Sequence, residues 1–325
     1  MNRLLPVLSG LALLLMFSIE GWSAEPDKNQ HCLARTKHSH SAVLGQCSDA
    51  YEFEDYEIAL QEWELLAKDG NSDAQHNVGQ MYRRGQGVPQ NYKTAMKWYI
   101  LSADQGDADA QFGLGLLYEN GKGVAKDYKT AVKWYELAAE QGNTNAQVNL
   151  GQTYRHGKGV LKDYKTAVKW YELAADQGNV LAQTNLGQMY EKGEGVSQNH
   201  KTAVKWYELA ADQGNAFAQY ALGLIYFNGR GVLRNYKTAN KWWKLSANQG
   251  NAKAQSNLGY MYANGLGTLR DFIRAHMWWN IAASSGESKK ASKNRDIVAK
   301  RMTPSQLAKA QQLARNFVPR KGSPT

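Results

Sequence analysis

The chain has 325 residues, 43% of them hydrophobic, two cysteines and a formal charge of +10. It is longer than one hydrophobic core usually sustains, and beyond its N-terminal apolar run no second stretch is apolar enough to cross a bilayer, which excludes a multispan membrane protein. The charge is uneven: residues 287–325 carry ten Lys or Arg against Glu287 and Asp296, which accounts for +8 of the +10.

Residues 1–24, MNRLLPVLSGLALLLMFSIEGWSA, combine an early Arg, an apolar run from Leu4 to Ile19 and small residues at Ser23 and Ala24. That is the layout of a secretory signal peptide; the alternative is an uncleaved anchor, for which the run is short of the roughly 20 residues a span needs. Export to the periplasm or the medium is therefore expected. No Cys follows the run at once, which argues against a lipoprotein. Residues 25–55 are polar, without period, and hold Cys32 and Cys47. In an oxidising compartment such a pair suggests one disulfide. His31, His38 and His40 lie near, but the spacing matches no zinc pattern, and free thiols remain open.

From residue 56 the chain repeats itself. Trp98, Trp134, Trp170, Trp206, Trp242 and Trp278 are each 36 residues apart, as are the Ala-Gln pairs from Ala74-Gln75 to Ala254-Gln255. A fixed period between about 20 and 50 residues marks a solenoid or array. Residues 56–70 are half a unit, and residues 71–286 are six copies without insertion, one uninterrupted array. Each copy reads as two amphipathic helices. The first is opened by an N-cap at Asn71, Asp107, Asn143, Asn179, Asn215 or Asn251. In the fourth copy Ala182, Leu186, Met189 and Tyr190 fall on one face, and Gly193 ends the helix as a left-handed cap. Gly187 sits inside that helix at a cost of about 1 kcal/mol against alanine, so close helix–helix approach is expected there. The second helix is capped at Asn91, Asp127, Asp163, Asn199, Asn235 or Asp271, and puts Ala203, Trp206, Tyr207, Ala210 and Ala211 on one side. Such hairpins cannot bury their apolar faces alone and are expected to stack.

Beyond Gly286 the repeat stops but helix continues, over Glu287 to Met302. Thr303-Pro304-Ser305-Gln306 then forms a capping box with Pro at the first helical position. Leu307, Ala310, Ala314 and Phe317 carry the apolar stripe on, and the last residues read as a frayed tail. Residues 287–325 are thus basic capping helices and a tail. Their charge could meet an anionic envelope surface; a solvated cap is the plainer reading. Nucleic acid is not an expected partner, given export and the lack of a base-reading motif.

The pattern A-x-x-x-L-G-x-x-Y-x-x-G-x-G-V…A-x-x-W-Y…A-x-x-G at a 36-residue step resembles the Sel1-like repeat, a longer relative of the tetratricopeptide repeat, over roughly Tyr56 to Gly286. The resemblance implies an all-α, right-handed α/α superhelical solenoid. Its first helices would line a concave groove for a protein or peptide partner. The groove positions are those that vary between copies. Phe217, Tyr220, Leu224 and Phe227 in the fifth copy, Phe112 and Leu116 in the second and Tyr260 in the sixth are apolar candidates, with Gln152 and Arg155 of the third as polar ones. Apolar residues in an otherwise polar stripe are candidate anchors, although packing between neighbouring helices would explain some of them.

The sequence contains no H-E-x-x-H, G-x-S-x-G, phosphate loop or Cys-x-x-Cys. The Gly-x-Gly pairs end helices and follow no strand. His76, His156, His200 and His276 occupy different positions in their copies. No cofactor and no metal is expected. Some cysteine-rich relatives carry a β-lactamase or penicillin-binding label, but here the copies contain no Cys and no S-x-x-K. The expected function is a non-catalytic interaction scaffold or adaptor of the cell envelope, with a secreted factor acting on a host cell as the alternative.

Overall fold

The computed structural model describes residues 55–286 and 289–319. The expected signal peptide, the Cys32–Cys47 pair, nearly all of residues 25–55 and the end of the tail lie outside them. The chain divides into two compact units between Gln105 and Gly106, and each is taken by itself below. Among the described residues all regular structure is α-helical.

The first unit holds α1 (Tyr56–Lys68), α2 (Ser72–Arg84) and α3 (Tyr92–Ala103). Helix α1 spans residues read above as half a copy, and α2 packs against both its neighbours. Ala59, Leu60, Trp63, Leu66, Ala67, Ala74, Val78 and Met81 form their core, with Trp98 laid against it. The caps act as anticipated: Asn71 accepts from the Ala74 N–H at 2.8 Å and Asn91 from that of Thr94 at 3.0 Å.

The second unit continues the same hairpin: α4 (Ala108–Asn120), α5 (Tyr128–Glu140), α6 (Thr144–His156), α7 (Tyr164–Asp176), α8 (Val180–Lys192), α9 (His200–Asp212), α10 (Ala216–Asn228), α11 (Tyr236–Asn248), α12 (Ala252–Asn264) and α13 (Phe272–Ser284). Then come α14 (Lys289–Ala299) and α15 (Pro304–Arg315), both packed on α13. The Thr303–Gln306 capping box forms in both directions. Every first helix from α4 to α12 ends on a glycine in the left-handed region, Gly193 at φ 73° among them.

Two devices hold hairpin to hairpin. The first is a buried glutamine chain. The Gln147 amide donates to the Ala139 carbonyl at 3.1 Å and its oxygen accepts from Gln177 at 2.9 Å; Gln183 and Gln213, then Gln219 and Gln249, repeat this 36 and 72 residues on. The link adds a side-chain donor to a carbonyl near the end of each second helix, which also accepts a backbone N–H from the turn that follows, Gly142 onto Ala139 at 3.0 Å among them. The second is the KWY motif, whose two aromatics divide the work. Its third residue is the core residue: Tyr135, Tyr171 and Tyr207 are fully buried. The Trp is half-buried and reaches back one hairpin, Trp170 onto the α5–α6 core and Trp206 onto the core of α6, α7 and α8. The expectation that Trp and Tyr share one face therefore needs this refinement.

Candidate functional site

The inward stripe of the first helices is built over the buried ring of the second helix. Sixteen positions before that ring, the first helix of each repeat supplies a lid. Where the ring is tyrosine the lid is charged. The Tyr135 hydroxyl donates to Glu119 Oε2 at 2.6 Å and Tyr207 to Glu191 Oε2 at 2.8 Å, while Tyr171 faces the Arg155 guanidinium. A buried hydroxyl favours a hydrogen-bond partner, which Glu119 and Glu191 supply; the buried Tyr171 hydroxyl has none among the described residues, its lid Arg155 bonding Glu194 instead. Where the ring is tryptophan the indole N–H turns to backbone instead: Trp243 donates to the Tyr220 carbonyl at 3.1 Å and Trp279 to that of Ser256 at 3.0 Å. The lid is then free to be apolar. It is Phe227, with its ring 5.3 Å from Trp243, and then Ala263. The lining changes from polar to aromatic at the fifth copy for this reason.

Arg155 is already committed. It reaches Glu194 at 2.8 Å and 3.0 Å and lies beside Asn185 and Gln188. Gln152 is exposed. Phe112 and Leu116 are half-buried on the α5–α6 core, with Phe112 5.7 Å from the Tyr135 ring. Phe217 and Tyr260 are 44% and 46% exposed, the most accessible of the apolar candidates. Tyr220, Leu224 and Phe227 pack partly into the C-terminal core.

The structure gathers three of the nine candidates, Leu224, Phe227 and Tyr260, at two adjoining cavities of about 280 Å³ each. One is lined by Leu224, Phe227, Asn228, Trp243, Ser256 and Asn257, the other by Ala263, Asn264, Phe272, Trp279 and the α14 side; Tyr260, Lys290 and Asn294 stand between them and line both. Ile297, Val298 and Arg301 complete the outer wall. The other six candidates lie away from these cavities. Sequence reasoning missed the α14 wall, because that helix carries no repeat signature and read as a basic cap. Its signal was the exposed Ile297 among lysines. Neither Lys290 nor Arg301 has a carboxylate within ion-pair distance among the described residues. Cavities of this size fall at the lower limit for small-molecule sites and suit individual side chains of a longer ligand. Among the described residues no group of His, Cys, Asp and Glu could hold a metal, and no helix is long and apolar enough to cross a membrane.

Comparison with known proteins gives a consistent set of matches. The model for the Sel1 repeat matches six times in succession, over residues 72–107, 108–143, 144–179, 180–215, 216–251 and 252–287. A Sel1 repeat protein from Oxalobacter formigenes is similar in structure with TM-score 0.65 at 34% identity, over 75% of this chain and 96% of that one. A protective antigen of uropathogenic Escherichia coli, c5321, is similar at 26% identity with TM-score 0.46, over 82% and 80%. No curated protein sequence matches.

Proposed function

Because the chain belongs to the Sel1 repeat family, whose members are generally protein-interaction scaffolds and typically not enzymes, we propose that it is a non-catalytic adaptor of the bacterial cell envelope that holds a peptide or protein segment along the lining of its second unit. The carrying observation is the pair of cavities around Tyr260, where an aromatic floor meets a wall bearing Lys290 and Arg301, neither with an ion-pair partner among the described residues. A segment with large apolar side chains next to acidic ones fits that chemistry: the side chains enter the cavities, and Lys290 and Arg301 meet the carboxylates. Buried aromatic anchors carry most of the energy in such contacts. The basic C-terminal helices add an anionic envelope surface as a further expected contact. Export rests on the N-terminal 24 residues and their signal-like composition.

The experiment is site-specific photocrosslinking from position 260 in the native cell, followed by titration of the captured segment against purified protein. Tyr260→Ser, at a residue 46% exposed, should weaken binding at least about tenfold, or about 1.4 kcal/mol, with the melting curve retained. Equal affinity of the two proteins would place the partner elsewhere.

A further inference from the structure

The loops between first and second helices lie side by side along one edge of the second unit. From the third copy on, the second loop glycine rests on the start of the preceding second helix: a β-carbon at Gly159 would stand 2.6 Å from the Tyr128 carbonyl carbon, and one at Gly195 2.5 Å from that of Tyr164. After that glycine the chain alternates. Val160 and Val232 turn inward onto the cores. The next residues, Leu161, Leu233 and Leu269, are 91%, 91% and 89% exposed. Isolated exposed leucines are ordinary; three at one position of the repeat, each almost entirely in water, are not explained by packing. Each is followed by a cation held against a ring. Lys162 Nζ is 4.6 Å from the Tyr164 centroid, and Arg234 and Arg270 stand 5.3 Å and 5.5 Å from the Tyr236 and Phe272 rings.

The charges beside this edge are segregated. Lys165 and Lys169 project from the first turns of α7, as Lys201 and Lys205 do from α9 and Lys237 and Lys241 from α11, all exposed. None has a carboxylate within 4.0 Å among the described residues. The acids Glu172, Asp176, Glu208 and Asp212 sit in the second halves of α7 and α9. A helix dipole favours the opposite arrangement, so helix stability does not account for it. The acids nearest the leucines, Asp163 and Asp271, are turned back onto the helix N-termini as caps. A whole-chain charge count hides this edge because the acids at the far ends cancel it.

We propose that the edge formed by Leu161, Leu233 and Leu269 and the flanking lysines docks the protein on an anionic lipid bilayer. Leucines standing singly on loop tips enter the acyl boundary, and the cations behind them meet lipid phosphates. A nucleic acid would match the lysines but gives the leucines nowhere to go. None of these leucines or lysines lines the Tyr260 cavities, although Phe272, which carries Arg270, lines one of them; the proposal does not depend on those cavities.

The test is co-sedimentation of the protein, as the cell matures it, with vesicles of phosphatidylglycerol and phosphatidylcholine in equal parts and with phosphatidylcholine alone. The protein should sediment with the first far more than with the second. The variant Leu161→Ser, Leu233→Ser, Leu269→Ser should bind the anionic vesicles at least about tenfold more weakly with unchanged circular dichroism, because each substitution removes an apolar side chain that would leave water on binding. Lys165→Gln, Lys169→Gln, Lys201→Gln, Lys205→Gln should also lose binding, and its remainder should depend less on salt. No preference for anionic vesicles overturns the proposal. So does a leucine variant that binds as before while Lys289→Gln, Lys293→Gln, Lys300→Gln does not, since the C-terminal helices would then be the membrane contact. Equal binding of an oligonucleotide by the protein and its leucine variant, without vesicle binding, overturns it as well.

Discussion

Gly187 lies directly under the ring of Tyr207: a β-carbon on it would stand 2.5 Å from Cε1 and 2.6 Å from Cδ1. The same contact recurs at Gly79 with Tyr99, Gly115 with Tyr135 and Gly151 with Tyr171, and it passes to Trp243 over Gly223 and Trp279 over Gly259. Exposed helical glycines gain about 1 kcal/mol when replaced by alanine. Here the added methyl must displace a ring packed on every side, which costs about 1–3 kcal/mol. Gly187→Ala should therefore lower the urea midpoint, and should cost less in a Tyr207→Leu background, where the ring is gone. A raised midpoint for the single variant would contradict the packing.

The glutamine chain makes a second prediction. Gln147 is buried between the Ala139 carbonyl and the Gln177 amide, so Gln147→Leu keeps the bulk but removes both bonds. The Ala139 carbonyl keeps the Gly142 N–H at 3.0 Å and Gln177 is exposed to water, so the loss should be about 0.5–1.5 kcal/mol in thermal or urea unfolding, the net worth of a hydrogen bond. The exposed Gln152→Leu should stay within about 0.5 kcal/mol. Equal effects at the two positions would show that the chain of amides contributes nothing.

The periodicity made the hairpins legible because one packing problem is solved six times, and each solution leaves the same residues. The caps at Asn143 or Asp163, the left-handed Gly193 and the close approach at Gly187 all follow from local geometry, and sequence states local geometry directly. The lid-and-ring relation was harder to read, since its partners, such as Glu119 and Tyr135, lie on different helices and vary together. The cavity wall from α14 could not be read from the repeat at all. Lys290 and Asn294 reach Tyr260 by tertiary packing of a helix outside the period. The exposed leucines escaped for another reason: an apolar residue in a repeat is read as core until its solvent exposure is known.

The relation between ring and lid can be tested by exchange. Trp243→Tyr should place a hydroxyl under Phe227, where no acceptor waits, and should cost about 1–3 kcal/mol. Adding Phe227→Glu recreates the pair seen at Tyr207 and Glu191, so the double variant should recover part of the loss. A double-mutant cycle in urea should give a favourable coupling of about 0.5–3 kcal/mol. Additive losses would mean that floor and lid are chosen independently.

Alkaline pH probes the same rings. Burial, then the neighbouring glutamates, hold the Tyr135 and Tyr207 hydroxyls well above the ordinary phenol range. Tyr171 is pushed up by burial to about 12, with the Arg155 guanidinium offsetting part of that rise. The unfolded chain releases these protons near pH 10, the usual tyrosine value, while the folded chain keeps them. Above that pH the unfolded state therefore binds fewer protons, and stability falls as pH rises. The slope should approach about 1.4 kcal/mol per pH unit for each such tyrosine. Below about pH 10 their contribution is fully present and flat. Urea midpoints should hold steady from about pH 8 and drop beyond pH 10. Phenolate absorbance in the native protein should rise in two phases, the later one coinciding with unfolding. Tyr171→Phe should reduce the alkaline slope. If every tyrosine ionised together near pH 10 with circular dichroism intact, the buried rings would have to be reached by water, and the packing described for α6 to α9 would be wrong.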